Sequence, residues 1–291
     1  MNQDPLARIA GNAEVVADHT WPGTSTTVTR LRTHGGREMI LKTNTNADSF
    51  ARELHALRTW APALGPRAPQ LLDADPTRHA LLTTVVPGVP LSTLSPAVDE
   101  ERSAYRQAGA LLRFFHNAGP RRHLPTFGPD RAAYIRAQLA HGTDPLTPEE
   151  ADTARHALEL LDAMPGQQAQ PSHLDFTSRN LLWDGERLGV IDFETSRYEA
   201  VGRDFLRIRQ RTLNERPDLY TAFHTGYGRE PDTEEGRLIR VCEVTDAAAI
   251  AVTATRNGQL AFATEAHRTL HTAFQRWPPK ARTAAADAPG P

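Results

Sequence analysis

Hydrophobic periodicity changes once along this chain, at Pro87-Gly88, and that change constrains the fold more than composition does. Upstream, apolar residues come in short runs bounded by turn residues, which predicts strands. The runs are "AEVVADH", "VTRLR", "REMILK", "PQLLDAD" and "HALLTTVV", and Gly35-Gly36 marks a hairpin turn before the third. Only "NADSFARELHALRTWA" departs from this pattern: Phe50, Leu54, Leu57 and Trp60 form a helical stripe that Asn46 or Asp48 can cap. Downstream, the spacing is helical. Tyr105, Ala108, Leu111, Leu112 and Phe115 share a helix face, Thr147-Pro148 opens another helix, and "GRDFLRIRQRTLNE" reads as helix too. The predicted class is α+β and two-lobed. A small antiparallel β-sheet with one helix occupies residues 1–86, and a larger, mostly helical lobe occupies 87–277. The tail 278–291 has too few large apolar residues to fold and is expected to be disordered. Two such lobes commonly hold a ligand in the cleft between them.

The net charge of -2 argues against nucleic acid or an anionic membrane as a partner. No apolar run approaches the roughly 20 residues of a membrane span, and "MNQDPLARIAGNAEVV" lacks a secretory pattern. Cys242 is the only cysteine, which excludes an internal disulfide and fits a reducing cytoplasm. One compositional fact is sharper. Positive charge is almost all Arg, and Lys stands only at 42 and 280. Lys42 is therefore the only lysine outside the tail, and its site is expected to need a compact ammonium rather than a planar guanidinium.

The densest polar cluster is "SHLDFTSRNLLWDGERLGVIDFE", residues 172–194. Asp-Gly between two apolar runs is a hairpin signal. Folding 181–191 about it brings Asn180 and Asp192 nearly opposite each other. An amide oxygen facing a carboxylate suits Mg²⁺, which takes few protein oxygens and fills its shell from phosphates and water. Asp175, just upstream, is placed to orient a hydroxyl or accept its proton. A decorated, solvated turn explains the same residues. Their order favours the chemical reading: His-x-Asp-x-x-x-x-Asn, an apolar strand, then Asp-Phe is the order in which kinase-like enzymes supply a base and two metal ligands. That order calls for an upstream strand Lys paired with a helix Glu. Lys42 ends "EMILK" and Glu53 lies within "FARELHAL".

These motifs resemble the aminoglycoside phosphotransferase and choline kinase-like family, relatives of the protein kinases. "HLDFTSRN" and "VIDFE" are similar to its catalytic and metal motifs, "LTTVVPG" to its inter-lobe segment, "LLRFFHNAG" to a helix ending in Leu-His, and "GRDFLRI" to its downstream Asp-Leu segment. The resemblance spans most of residues 15–275 and implies a protein-kinase-like fold. It implies ATP, or GTP, with Mg²⁺ as cofactors, Asp175 as catalytic residue, and Asn180 and Asp192 as metal ligands. It further implies phosphate contact by Lys42, positioned by Glu53, adenine bonded to backbone near Thr83 and Val85, a supporting His173, and Asp204 bracing the catalytic loop.

The sequence departs from the family pattern at Leu174, where a Gly is usual, and at Thr177-Ser178-Arg179, which replaces His-Pro-Gly. The loop "WPGTSTT" has one Gly, so any phosphate cradle there rests on backbone N–H groups with the Ser25 and Thr26 hydroxyls. Arg179 reads equally as a contact to a substrate or phosphate anion or as a loop ion pair, and Glu194 equally as a metal or substrate contact or a salt bridge. The expected activity is transfer of a γ-phosphoryl to a small hydroxylated, antibiotic-like molecule. A metabolite kinase of the choline, sugar or homoserine type, and a nucleotide-binding module without turnover, are the alternatives.

Overall fold

The computed structural model describes residues 13–21, 24–140 and 145–276. Gly23, Lys280 and the tail from 278 lie outside the described residues. In chain order the elements are β1 (Glu14–Asp18), β2 (Thr26–Arg32), β3 (Glu38–Asn44), α1 (Ala47–Thr59), β4 (Leu71–Asp75), β5 (Ala80–Thr84), β6 (Val89–Pro90), α2 (Val98–His116), β7 (Arg122–Leu124), α3 (Phe127–Leu139) and α4 (Pro148–Asp162). Then follow β8 (Gln167–Ser172), β9 (Leu181–Trp183), β10 (Leu188–Val190), β11 (Arg197–Ala200), α5 (Val201–Asp204), α6 (Leu206–Ile208), α7 (Pro217–Tyr227), α8 (Thr233–Arg256) and α9 (Leu260–Arg276). No helix of the described residues is long and apolar enough to cross a membrane. The architecture is α+β, an antiparallel N-terminal sheet followed by a mostly helical region.

The chain forms two compact units, residues 1–122 with 169–230, and residues 123–168 with 231–291. In the first, β1-β2-β3-β5-β4 make a five-stranded sheet whose described pairings are antiparallel. Leu31, Met39, Leu41, Ala80 and Leu82 bury one part of it. Side chains alternate across a strand, so Lys42 points to the face opposite Met39 and Leu41. Helix α1 is capped by Asn46, whose side chain accepts from Ser49 N at 3.0 Å. Its buried residues Phe50, Glu53, Leu54 and Leu57 recur at helical spacing, and Glu53 stands among them.

In the same unit α2 and α7 pack with their backbones in close approach. A Cβ added at Gly109 would lie 1.9 Å from Phe223 O, and one at Gly226 1.8 Å from Arg106 O. Neither position has room for a methyl group. Gly109→Ala is expected to cost about 3 kcal/mol, the upper end of overpacking penalties, read as a lowered urea midpoint at unchanged slope. The span 201–213 is not one continuous helix: α5 and α6 are single turns, followed by a π-turn at Arg209–Leu213. The strand β11 leads into this span and pairs with β8 through Glu199↔Gln170 and Arg197↔Ser172. Neither strand has the apolar alternation that marks a strand in sequence.

The second unit is built from α3, α4, α8 and α9. Its core is rich in alanine, with Ala154, Ala157, Ala247, Ala248, Ala251 and Ala266 around Val244, Val252 and Leu270. Capping boxes start α4 (Thr147 with Glu150) and α8 (Asp232 with Glu235), each satisfying two orphan donors. Cys242 is buried.

Candidate active site

The hairpin forms as the Asp-Gly turn dictates: β9 and β10 pair with Leu181 opposite Val190. The Ile191 N–H donates to Asn180 O at 3.0 Å, which brings Asn180 and Asp192 to the same mouth of the hairpin. Asn180 is buried, and its Nδ2 donates to Asp175 O and to Asp175 Oδ2, each at 2.9 Å. Its Oδ1 remains as the acceptor atom. Asp192 takes a left-handed backbone with φ of 70°, which Asp tolerates better than most residues.

Lys42 sits among three carboxylates. Its Nζ lies 2.7 Å from Asp192 Oδ1, 2.8 Å from Glu53 Oε2 and 3.2 Å from Glu194 Oε2. Burial would deprotonate the amine, but the charges of Glu53, Asp192 and Glu194 outweigh it and hold Lys42 firmly charged. Burial pushes the Glu53 carboxyl up to about 7, against the pull of Lys42. Asp192 is half-buried, and although desolvation opposes its ionisation, the charge and hydrogen bond of Lys42 keep it below the usual carboxylate range. Three carboxylates against one ammonium leave a formal excess of negative charge. Their oxygens lie within 4.8 Å of one another. All three are hard oxygen donors of the kind a Mg²⁺-type cation takes.

Glu194 also ties distant elements together. Its Oε2 accepts from Thr26 Oγ1 and from Asn44 Nδ2, each at 3.2 Å, and its backbone O accepts from Arg52 Nε at 2.9 Å. Thr26 is thus buried with its hydroxyl turned to Glu194, while Ser25 is exposed and its carbonyl accepts from Thr45 N at 2.8 Å. Thr83 is buried on β5, opposite Ile40, and Val85 lies half-buried just past the end of that strand.

Asp175 is buried, and both of its carboxylate oxygens accept hydrogen bonds. Its Oδ2 accepts from Arg179 Nη2 at 2.6 Å as well as from Asn180, and its Oδ1 accepts from Arg207 Nη1 at 3.0 Å. Arg207 was not legible in the sequence as a site residue, because only the broken helix at 201–213 brings it back to Asp175. The "RDFLRIRQR" charge run was the one signal available.

The loop carrying Asp175 is held by Asp204. Its carboxylate accepts from His173 N and Leu174 N, each at 2.6 Å, and from His116 Nε2 at 3.0 Å. Burial opposes its ionisation, but the bond and charge of His116, then His173, keep it below its ordinary range. His173 is spent on scaffolding: Nε2 donates to Ile191 O at 3.1 Å, and Nδ1 accepts from Asp175 N at 3.3 Å. Leu174 carries φ of 64° with a buried side chain. The left-handed region costs a non-glycine residue roughly 1–2 kcal/mol. Leu174→Gly is therefore expected to be less destabilising than Leu174→Ala, by about 1 kcal/mol. At an ordinary position the order is the reverse, and equilibrium unfolding of the two variants checks it.

The model of the phosphotransferase enzyme family matches residues 21–239. No curated protein sequence matches the chain. Among solved structures, a thermostable mutant of aminoglycoside phosphotransferase APH(4)-Ia is similar at 16% identity and a TM-score of 0.72, over 93% of this chain and 97% of that one. A choline/ethanolamine kinase family protein from Mesorhizobium loti is similar at 20% identity and 0.67, over 98% and 95%. Macrolide 2'-phosphotransferase MphH from Brachybacterium faecium is similar at 18% identity and 0.63, over 92% and 95%. These likenesses show a shared protein-kinase-like fold. The family match covers the strand with Lys42, the helix with Glu53, the Asp175 loop and the 180–192 hairpin in one continuous span, and the chain belongs to the phosphotransferase enzyme family.

Proposed function

We propose that the protein moves the γ-phosphoryl of ATP to a hydroxyl of a small molecule, with GTP the second candidate nucleotide. The observation that carries this reading is the junction of two groups of residues distant in the sequence. Lys42 bridges Glu53 and Asp192, while Asn180 links the metal hairpin to Asp175 at 2.9 Å. APH(4)-Ia has been crystallised as a ternary complex with AMP-PNP and hygromycin B, and aminoglycoside 2'-phosphotransferase-IIIa as a GDP complex. Both support a nucleotide donor, and the first supports a small hydroxylated acceptor.

Asp192 and Asn180 would hold Mg²⁺, which when bound neutralises charge on the phosphates. Lys42, fixed by Glu53, contacts the α- and β-phosphates, and backbone near Thr83 and Val85 takes the adenine. Ser25, exposed just before β2, would add a phosphate contact, and Thr26 would do so through its backbone, its hydroxyl being held by Glu194. Asp175 orients the acceptor hydroxyl and takes its proton late, as the acceptor oxygen bonds to γ-phosphorus and the bond to the nucleoside diphosphate breaks. Catalysis is mainly positioning and electrostatics, since the transition state is loose. The favoured acceptor is antibiotic-like, in line with the aminoglycoside and macrolide enzymes above in its hydroxylated scaffold rather than in its charge. A metabolite acceptor is the second reading, favoured by the choline/ethanolamine kinase likeness. Enzyme-coupled ADP release over a panel of hydroxylated antibiotics and metabolites, with ATP and GTP tested separately, decides between them. No acceptor-dependent, Mg²⁺-dependent ADP release with any acceptor would sink the proposal.

A further inference from the structure

We infer that the acceptor carries an anionic group, a carboxylate or phosphate, beside the hydroxyl that is phosphorylated, and that Arg179 and Arg207 select it. This rests on the phosphotransferase reading and names its substrate class. Arg179 and Arg207 approach Asp175 from different elements, the loop before β9 and the single turn α6, and bond its two carboxylate oxygens separately. Asp175 is the one group that either guanidinium hydrogen-bonds among the described residues. Each guanidinium has five N–H donors, so most of each fork is unspent. Asp175 is buried, with 7% of its side chain exposed, whereas Arg179 and Arg207 expose 37% and 40%. Two partly exposed guanidiniums with unspent donors thus flank the carboxylate that would meet the acceptor hydroxyl.

Charge completes the argument. Around Lys42 the carboxylates are in excess, which suits a cation. At Asp175 two guanidiniums meet one carboxylate at hydrogen-bond distance, while Asp192 and Glu194 act on Arg179 from further away. A hydroxyl reaching Asp175 brings its neighbouring substituents against these forks. Guanidinium recognises carboxylate and phosphate by paired hydrogen bonds. A substituent bearing an ammonium meets like charge in a partly desolvated place, which opposes its binding. This side of the site therefore does not suit a polycation.

Hydroxylated scaffolds offered in three forms test the inference, among them gluconate, glucose and glucosamine as carboxylate, neutral and ammonium members. The measurement is kcat/KM for ADP release above the acceptor-free rate. The carboxylate member is expected to lead each active set by at least tenfold. Arg179→Gln and Arg207→Gln are each expected to bring the carboxylate-to-neutral ratio toward one, chiefly through KM. Arg207→Glu is expected to shift the preference to the ammonium member. A clamp that merely holds Asp175 would lower all three forms alike, and that result overturns the inference. So does a native preference for the neutral or ammonium form, which leaves the phosphotransferase reading standing. No acceptor-stimulated ADP release from any form overturns both.

Discussion

Asp175→Asn is expected to lower acceptor phosphorylation by roughly 10²–10⁴-fold, the usual scale for removing a general base. The substitution keeps the shape and the Asn180 contact but removes the negative charge. It cannot accept the hydroxyl proton, and it leaves Arg179 and Arg207 without their shared anion. Nucleotide affinity, followed with a fluorescent ATP analogue, is expected to change by only a few-fold, because the Lys42 cluster does not touch Asp175 directly. Rapid-quench measurement of the transfer step separates chemistry from product release. An Asp175→Asn enzyme with an unchanged transfer rate would remove Asp175 from the mechanism.

The second large effect is at Asp204. Its buried carboxylate accepts two backbone N–H bonds and one from His116. Asn offers one acceptor oxygen, and its amide hydrogens would face a donor. Removing one partner of a buried charge pair costs about 3–5 kcal/mol, a large fraction of the roughly 5–15 kcal/mol of a whole domain. At 2–4 °C per kcal/mol for a unit of this size, Asp204→Asn is expected to melt roughly 10 °C lower. Activity falls with it, since the Leu174 and Asp175 backbone loses its anchor. A melting point within a degree or two of the native protein would contradict this account. The pH dependence follows with a definite sign. The folded carboxyl is held below its ordinary value, so its stabilisation is complete above the unfolded pKa of about 3.9. It is lost as pH falls through the lower folded value. The native protein is therefore expected to show a steeper acid limb below about pH 4 than Asp204→Asn does, by calorimetry at stepped pH.

Much of this site was legible because its chemistry is local in sequence. The Asp-Gly turn fixed the hairpin, so Asn180 and Asp192 followed from register alone. Lys42 stood out through scarcity, and Glu53 through the kinase-like residue order, which calls for a helix Glu to pair with the strand Lys. The parts that were not legible depend on separations that no local pattern encodes. Thr26 meets Glu194 across 168 residues, and Arg207 meets Asp175 across 32. Thr26 reads as a phosphate-loop hydroxyl and is found bonded to a carboxylate. The helix at 201–213 was legible in content but not in its breaks, since the apolar spacing of "FLRI" fits a continuous helix as well as single turns. Strands β8 and β11 were missed because Gln, Pro, Arg and Glu carry no alternation. Leu174 was visible as an unusual residue, but its left-handed backbone was not.

Asp204 also sets an order of assembly. Its partners His116 and His173 precede it by 88 and 31 residues, and closing loops of that length is entropically late relative to turns and helices. The chain can therefore form its sheet, its hairpin and much of α2 before the loop around Asp175 has a fixed path. On the ribosome, every residue proposed for phosphate, metal and base has been made before the one that locks them has emerged. Catalytic competence in this fold thus waits on a residue made after all of those it serves.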